Sequence, residues 1–168
     1  MAIPKVLFGP KARQDVVSQY TIALVRGLLS QADCPSCTIT STSRTPADQA
    51  RAMYANIVNL GVTSQLALYA PAGDAVIQEY VKARKAGLPA ASIIAAMTSK
   101  VIEMGPGNVS LHCADPGKLN VLDIAPSSLV DPGAFHAAID AARQAGTISR
   151  FFAPGHHDPA FHIEVPQP

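Results

Sequence analysis

The chain has 168 residues, enough for one domain with a substantial core. Apolar residues make up 48% of it, which excludes a disordered chain, and a net charge of +1 supplies no electrostatic drive toward nucleic acid or an anionic membrane. The opening Met1-Ala2-Ile3-Pro4-Lys5 lacks the apolar stretch of a signal peptide, and no apolar run is long enough to span a bilayer. The expectation is a chain synthesised in the cytoplasm without a classical signal and not inserted in a membrane.

Val17, Tyr20, Leu24 and Leu28 recur at helical spacing and predict a first helix over about 13–31. Three cysteines follow the chain at odd count: Cys34, Cys37 and Cys113. Cys34-Pro35-Ser36-Cys37 has the spacing of half a zinc site, but the second pair is missing, and the motif runs into a strand instead of opening a helix. The reading is buried thiols or one local disulfide, with no chemistry. The strand that follows is the threonine-rich 38–42. Thr45-Pro46-Ala47-Asp48 opens a second helix, with Thr45 as N-cap, proline at the first helical position and Asp48 closing a capping box. Met53, Ile57 and Leu60 form its apolar stripe, and Gly61 ends it.

Two further helices are predicted over 74–86 and 89–104. After the turn Gly105-Pro106-Gly107 the texture changes to strands at 109–112 and 119–125. Asp131-Pro132 starts a helix with Phe135, Ile139 and Ala142 on one side, ending at Gly146, and 161–165 is a closing strand. This pattern is α+β: a small antiparallel sheet flanked by helices, in a single domain over 1–168.

The late strands carry the residues with chemical potential. Alternation groups Val121, Asp123 and Ala125 on one side of their strand. It puts Phe161, Ile163 and Val165 on an apolar face, and His162 and Glu164 on the other. His112 sits on a third strand-like segment. Two histidines and an aspartate would supply three ligands for one zinc and leave the fourth position to water. Five histidines offer several such trios, and spacing alone is equally compatible with scattered surface histidines. His136, inside a helix beside Phe135, reads as an ordinary helix histidine.

Three segments, in order, resemble the signature of the zinc D,D-carboxypeptidase family, which includes vancomycin-resistance D,D-peptidases and phage endolysin peptidases and is related to the hedgehog-type zinc fold. Ile39-Thr40-Ser41-Thr42-Ser43-Arg44-Thr45, with Gln49 and Tyr54, is similar to its SGYRS…Q…LY stretch. Gly105-Pro106-Gly107-Asn108-Val109-Ser110-Leu111-His112 and Val121-Leu122-Asp123-Ile124-Ala125-Pro126 resemble PGxSxH…AxDxAP. Phe161-His162-Ile163-Glu164-Val165 resembles the terminal WHIEV.

The resemblance implies zinc held by His112, Asp123 and His162, and a substrate-facing Arg44 that binds or polarises the carbonyl under attack. Bottom-up, Arg44 stands where a strand turns into a helix N-terminus, a place favourable to negative charge, though a surface guanidinium would also sit there. The implied substrate is the peptide of bacterial peptidoglycan, cut at a D,D bond or an L-alanyl-D-glutamate bond. Without a signal peptide, a lytic effector or endolysin fits, acting in the periplasm or on the cell wall after delivery, with an immunity or delivery protein as partner.

Two departures from the family pattern matter. The stretch between the first two ligands is longer, so 115–118 must loop out for Asp123 to return; Asp115 is a rival ligand, but its Asp-Pro-Gly context reads as a turn. The positions where the family places its catalytic base hold Pro159 and Ala160. Asp158 is then the first candidate base, His157 the second and His156 the third. Glu164 reads as a partner behind the ligands or as a solvated sheet carboxylate. Two rivals remain: a non-catalytic zinc- or wall-binding module, and a cysteine amidase using Cys113 and His112, which as strand neighbours would point to opposite faces.

Overall fold

The computed structural model describes residues 3–155 and 159–168. In chain order the elements are β1 (Lys5–Phe8), α1 (Gln19–Gln31), β2 (Ser36–Ser41), α2 (Pro46–Leu60), α3 (Val62–Leu66), α4 (Pro71–Lys85), α5 (Ala90–Met104), α6 (Pro106–Val109), β3 (Leu119–Ile124), α7 (Pro132–Gln144), β4 (Arg150–Phe152) and β5 (Phe161–Pro166). Short 3-10 turns stand at Gln14–Val16, Leu111–Cys113 and Pro126–Ser128. The α+β class holds. No described helix is long and apolar enough to cross a membrane.

The chain forms two compact units. The first comprises Met1–Ser43 and Asp115–Pro168, the second Arg44–Ala114. The first unit contains a five-stranded sheet in the order β1-β2-β3-β5-β4. The sheet is mixed, not antiparallel, because β1 pairs with β2 in parallel while the other pairings are antiparallel. Strands β1 and β4, four and three residues long, are too short to show alternation in sequence. With β4 beside it, the last strand β5 is internal to the sheet.

One face of the sheet is apolar. Cys37, Ile39, Leu122, Ile124, Phe161, Ile163 and Val165 pack there with Val25, Leu28 and Leu29 of α1 and Phe135, Ala138 and Ile139 of α7. Burying a side chain of this size contributes roughly 1.5–3 kcal/mol, so this layer anchors the unit. Helix α1 starts later than its periodicity predicts: Ser18 accepts a hydrogen bond from the Thr21 amide and caps it, while the preceding residues form a 3-10 turn. Asp131 caps α7 through the Ala134 amide as expected. Asn120, buried on β3, accepts from the Ser18 amide (2.9 Å) and donates to the carbonyls of Val16 and Pro116, tying the loop before β3 to the start of α1.

The second unit is helical. Ala50, Met53 and Ile57 of α2, Val76 and Ile77 of α4, and Ile93, Met97 and Val101 of α5 form its core. Thr45 caps α2 as its sequence predicts, accepting from the Asp48 amide and donating its hydroxyl to the Asp48 carboxylate. Leu60, expected in the apolar stripe, is exposed. The predicted strand at 109–112 is absent. Gly105 adopts φ +82°, Pro106 sits at the first position of the helical turn α6, and Ser110 then caps the 3-10 turn that carries His112.

Candidate metal centre

The register of the first unit builds a polar cluster on the face opposite the apolar layer. Strand β3 pairs with β5 so that Asp123 stands directly across from His162, and β4 pairs with β5 so that Phe152 does the same on the other side. His162 is thereby flanked by a carboxylate and an aromatic ring. Its Nδ1 lies 3.0 Å from Asp123 Oδ1, and its Nε2 lies 3.2 Å from Glu164 Oε1. Glu164 is 4% exposed, so the solvated reading of that carboxylate is corrected: it is buried and bonded. Arg150 Nε donates to the same Glu164 oxygen at 2.9 Å.

The electrostatics follow from these contacts. Burial alone would push the His162 pKa down, but its hydrogen bonds to Asp123 and Glu164 outweigh that and hold it up at about 9. Burial likewise tends to raise Glu164, yet the bonds from His162 and Arg150 win and leave it below the usual glutamate range. Near neutral pH His162 therefore carries both ring protons and donates both. Only a neutral imidazole can bind a metal, so one of these protons would have to leave on metal binding.

The second unit presents its own candidates. His112, buried, lies on the 3-10 turn Leu111–Cys113, where its amide donates to Ser110 Oγ. The Arg44 amide donates to the His112 carbonyl at 2.6 Å, which brings these two sequence-predicted residues together. The Arg44 side chain is half-buried and braced: Nη1 donates to Gln49 Oε1 and Gln49 Nε2 donates to the Tyr69 hydroxyl, both at 3.2 Å. Gln49 was singled out by the sequence; Tyr69 was not, and nothing local in Leu68-Tyr69-Ala70 signals it.

His112, Asp123 and His162 form a group that could hold a metal ion. Their chemistry fits one. Two imidazoles and a carboxylate suit zinc, although they also suit other first-row divalent ions. His162 presents one nitrogen beside a second donor, Asp123, and the other to Glu164. A metal-binding histidine commonly gives its second nitrogen to such a carboxylate. Asp115, the rival ligand, is taken up in its turn, accepting from the Gly117 amide at 2.9 Å. Asp158, His157 and His156, the three candidate bases, lie outside the described residues. His136 is exposed, with its ring edge-on to Phe151 at 5.5 Å.

Cys34, Cys37 and Cys113 are free thiols. Burial pushes Cys37 up to about 12, with nearby Cys34 adding to the effect. Burial also dominates at Cys113, raised to about 11 despite the favourable charge of Arg44. A nucleophilic cysteine needs the opposite shift, and this weighs against the amidase reading. The strand argument used against it from sequence does not apply, since His112 and Cys113 share a 3-10 turn. Native protein at pH 8 should accordingly react slowly with a thiol-specific disulfide reagent, and all three thiols should appear promptly in denaturant. Fast modification of Cys113 in the folded protein would contradict this.

The chain is thus an α+β protein carrying side chains able to hold a metal ion. No family model, curated protein or solved structure matches it.

Proposed function

We propose that the protein is a zinc-dependent peptidase that hydrolyses the stem peptides of bacterial peptidoglycan, at a D,D bond or an L-alanyl-D-glutamate bond. The observation that carries the reading is the pairing of Asp123 with His162 across β3 and β5, with Glu164 behind. The motifs that resemble the zinc D,D-carboxypeptidase family fall on these same residues. Bound zinc would acidify its water and polarise the scissile carbonyl. His112, Asp123 and His162 would hold it, and Glu164 would orient the His162 ring. Arg44, braced by Gln49, would stabilise charge on the carbonyl oxygen or anchor a substrate carboxylate. Asp158, or else His157 or His156, would take the proton from the attacking water and pass it to the leaving amine. Delivery to the periplasm or cell wall as an endolysin or a lytic effector, with a delivery or immunity protein as partner, belongs to the same proposal.

A second reading, a non-catalytic zinc- or wall-binding module, is favoured by Pro159 and Ala160 at the positions where the resembled family places its base. Incubating the zinc-loaded protein with purified peptidoglycan decides between them. Release of new amino termini or free D-alanine is the expected result. A protein that sediments with the wall material or retains zinc but releases nothing supports the module, and one that takes up no metal and does not sediment with the wall overturns both.

A further inference from the structure

Strand β4 lies outside every segment that suggested a metal centre, yet it supplies a donor to Glu164, the carboxylate bonded to the second nitrogen of His162. Arg150 stands directly across from Glu164, and Phe152 directly across from His162. Being two residues apart on a strand, both project to the same side of the sheet. Glu164 Oε1 accepts from His162 Nε2 and from Arg150 Nε, so one oxygen joins the arginine to the imidazole. The guanidinium carbon sits 5.0 Å from the centre of the Phe152 ring, and that ring lies 5.6 Å from the His162 ring at a tilt of 40°. The aromatic ring therefore lies against both the arginine and the histidine.

An ion pair between two exposed chains contributes little, because both ends move and water screens them. Here only the arginine is half-exposed; the glutamate side chain is 5% exposed and is committed to the histidine. Losing the Nε–H donor would free the carboxylate to turn about its last bond. His162 would then lose the partner that decides which nitrogen keeps a proton.

We propose that Arg150, braced on Phe152, is a positioning residue: it fixes the Glu164 carboxylate so that His162 keeps its Nε2 proton and presents Nδ1, the nitrogen beside Asp123, to a metal. The inference rests on the metal-centre reading and adds to it a residue that no motif indicates. Arg150 acts through Glu164 and has no direct part in the chemistry.

The test uses the full chain, with Arg150→Gln and Arg150→Lys beside the parent. Zinc affinity is measured by competition with a chromogenic chelator, the visible spectrum is recorded with cobalt in place of zinc, and thermal melting is followed after metal removal. Arg150→Gln should bind zinc several-fold to about 10-fold more weakly and shift the cobalt absorption, at or below the low end of the roughly 10–100-fold range for loss of a ligand's direct partner, because Arg150 acts one step further out. Its melting temperature without metal should stay within a few degrees of the parent, since the substituted side chain is half-exposed. Arg150→Lys should recover part of the affinity, because an ammonium restores a donor but not the fixed fork. It also carries the test should the glutamine variant fold poorly. Parent-like affinity and an unshifted cobalt spectrum in Arg150→Gln would overturn the proposal while leaving the metal centre standing. A parent that takes up no metal would overturn the metal centre and this role together.

Discussion

His162→Ala protein should emerge from dialysis without metal under conditions in which the parent keeps one zinc per chain. His162 Nδ1 lies 3.0 Å from Asp123 Oδ1, and the two residues stand directly across from each other in the register of β3 and β5. The residues on either side of His162 along β5, Phe161 and Ile163, face the apolar layer. Loss of a ligand should cost more than the roughly 10–100-fold that loss of an outer partner costs. His112→Ala should behave alike. Elemental analysis after dialysis checks this, and full zinc occupancy in both variants would remove the ligand assignment. The parent adds a second readout. With the His162 pKa held at about 9, a metal must displace a proton from that ring at any lower pH. Zinc affinity should therefore rise with pH between 6 and 8, by about tenfold per unit from this proton alone.

The second large effect is expected at Asp158. If this residue is the general base, Asp158→Asn should keep zinc and the fold while turnover of stem peptides falls by roughly a hundredfold or more, equivalent to about 2.7 kcal/mol of lost transition-state stabilisation. Asp158 is the only carboxylate between Arg150 and His162, and Pro159 and Ala160 cannot accept a proton. Arg44→Ala should lower turnover too, without loss of metal, because Arg44 is assigned to the substrate. Activity compared with metal occupancy across Asp158→Asn, His157→Ala and His156→Ala identifies the base. A parent-like rate in Asp158→Asn together with a zinc-bound but inactive His157→Ala would transfer the role to His157.

Much of this protein was legible because it is local. The caps of α2 and α7 are read from Thr45-Pro46-Ala47-Asp48 and Asp131-Pro132, since a cap is a contact between residues three apart. The alternation of 161–165 separates Phe161, Ile163 and Val165 from His162 and Glu164, because strand periodicity is a property of one backbone. Alternation names two faces but does not say what covers each. That is why the sequence leaves Glu164 open between a partner behind the ligands and a solvated carboxylate, while in the fold it is buried, where β4 lines β5 and brings Arg150 to its carboxylate.

The rest depended on partners distant in the chain. Nothing within Lys5–Phe8 or Arg150–Phe152 is long enough to show a period, so these strands exist because β2 and β5 offer them hydrogen bonds. The segment at 109–112 has apolar residues suited to a strand, yet a left-handed Gly105 followed by Pro106 starts a helical turn and Ser110 caps the next. Sequence by itself determined which residue types were available to a metal and in what order they come. The tertiary structure decided which of them meet: an antiparallel register aligns Asp123 with His162 across 39 positions of chain, and only hydrogen bonding between two strands can set that alignment.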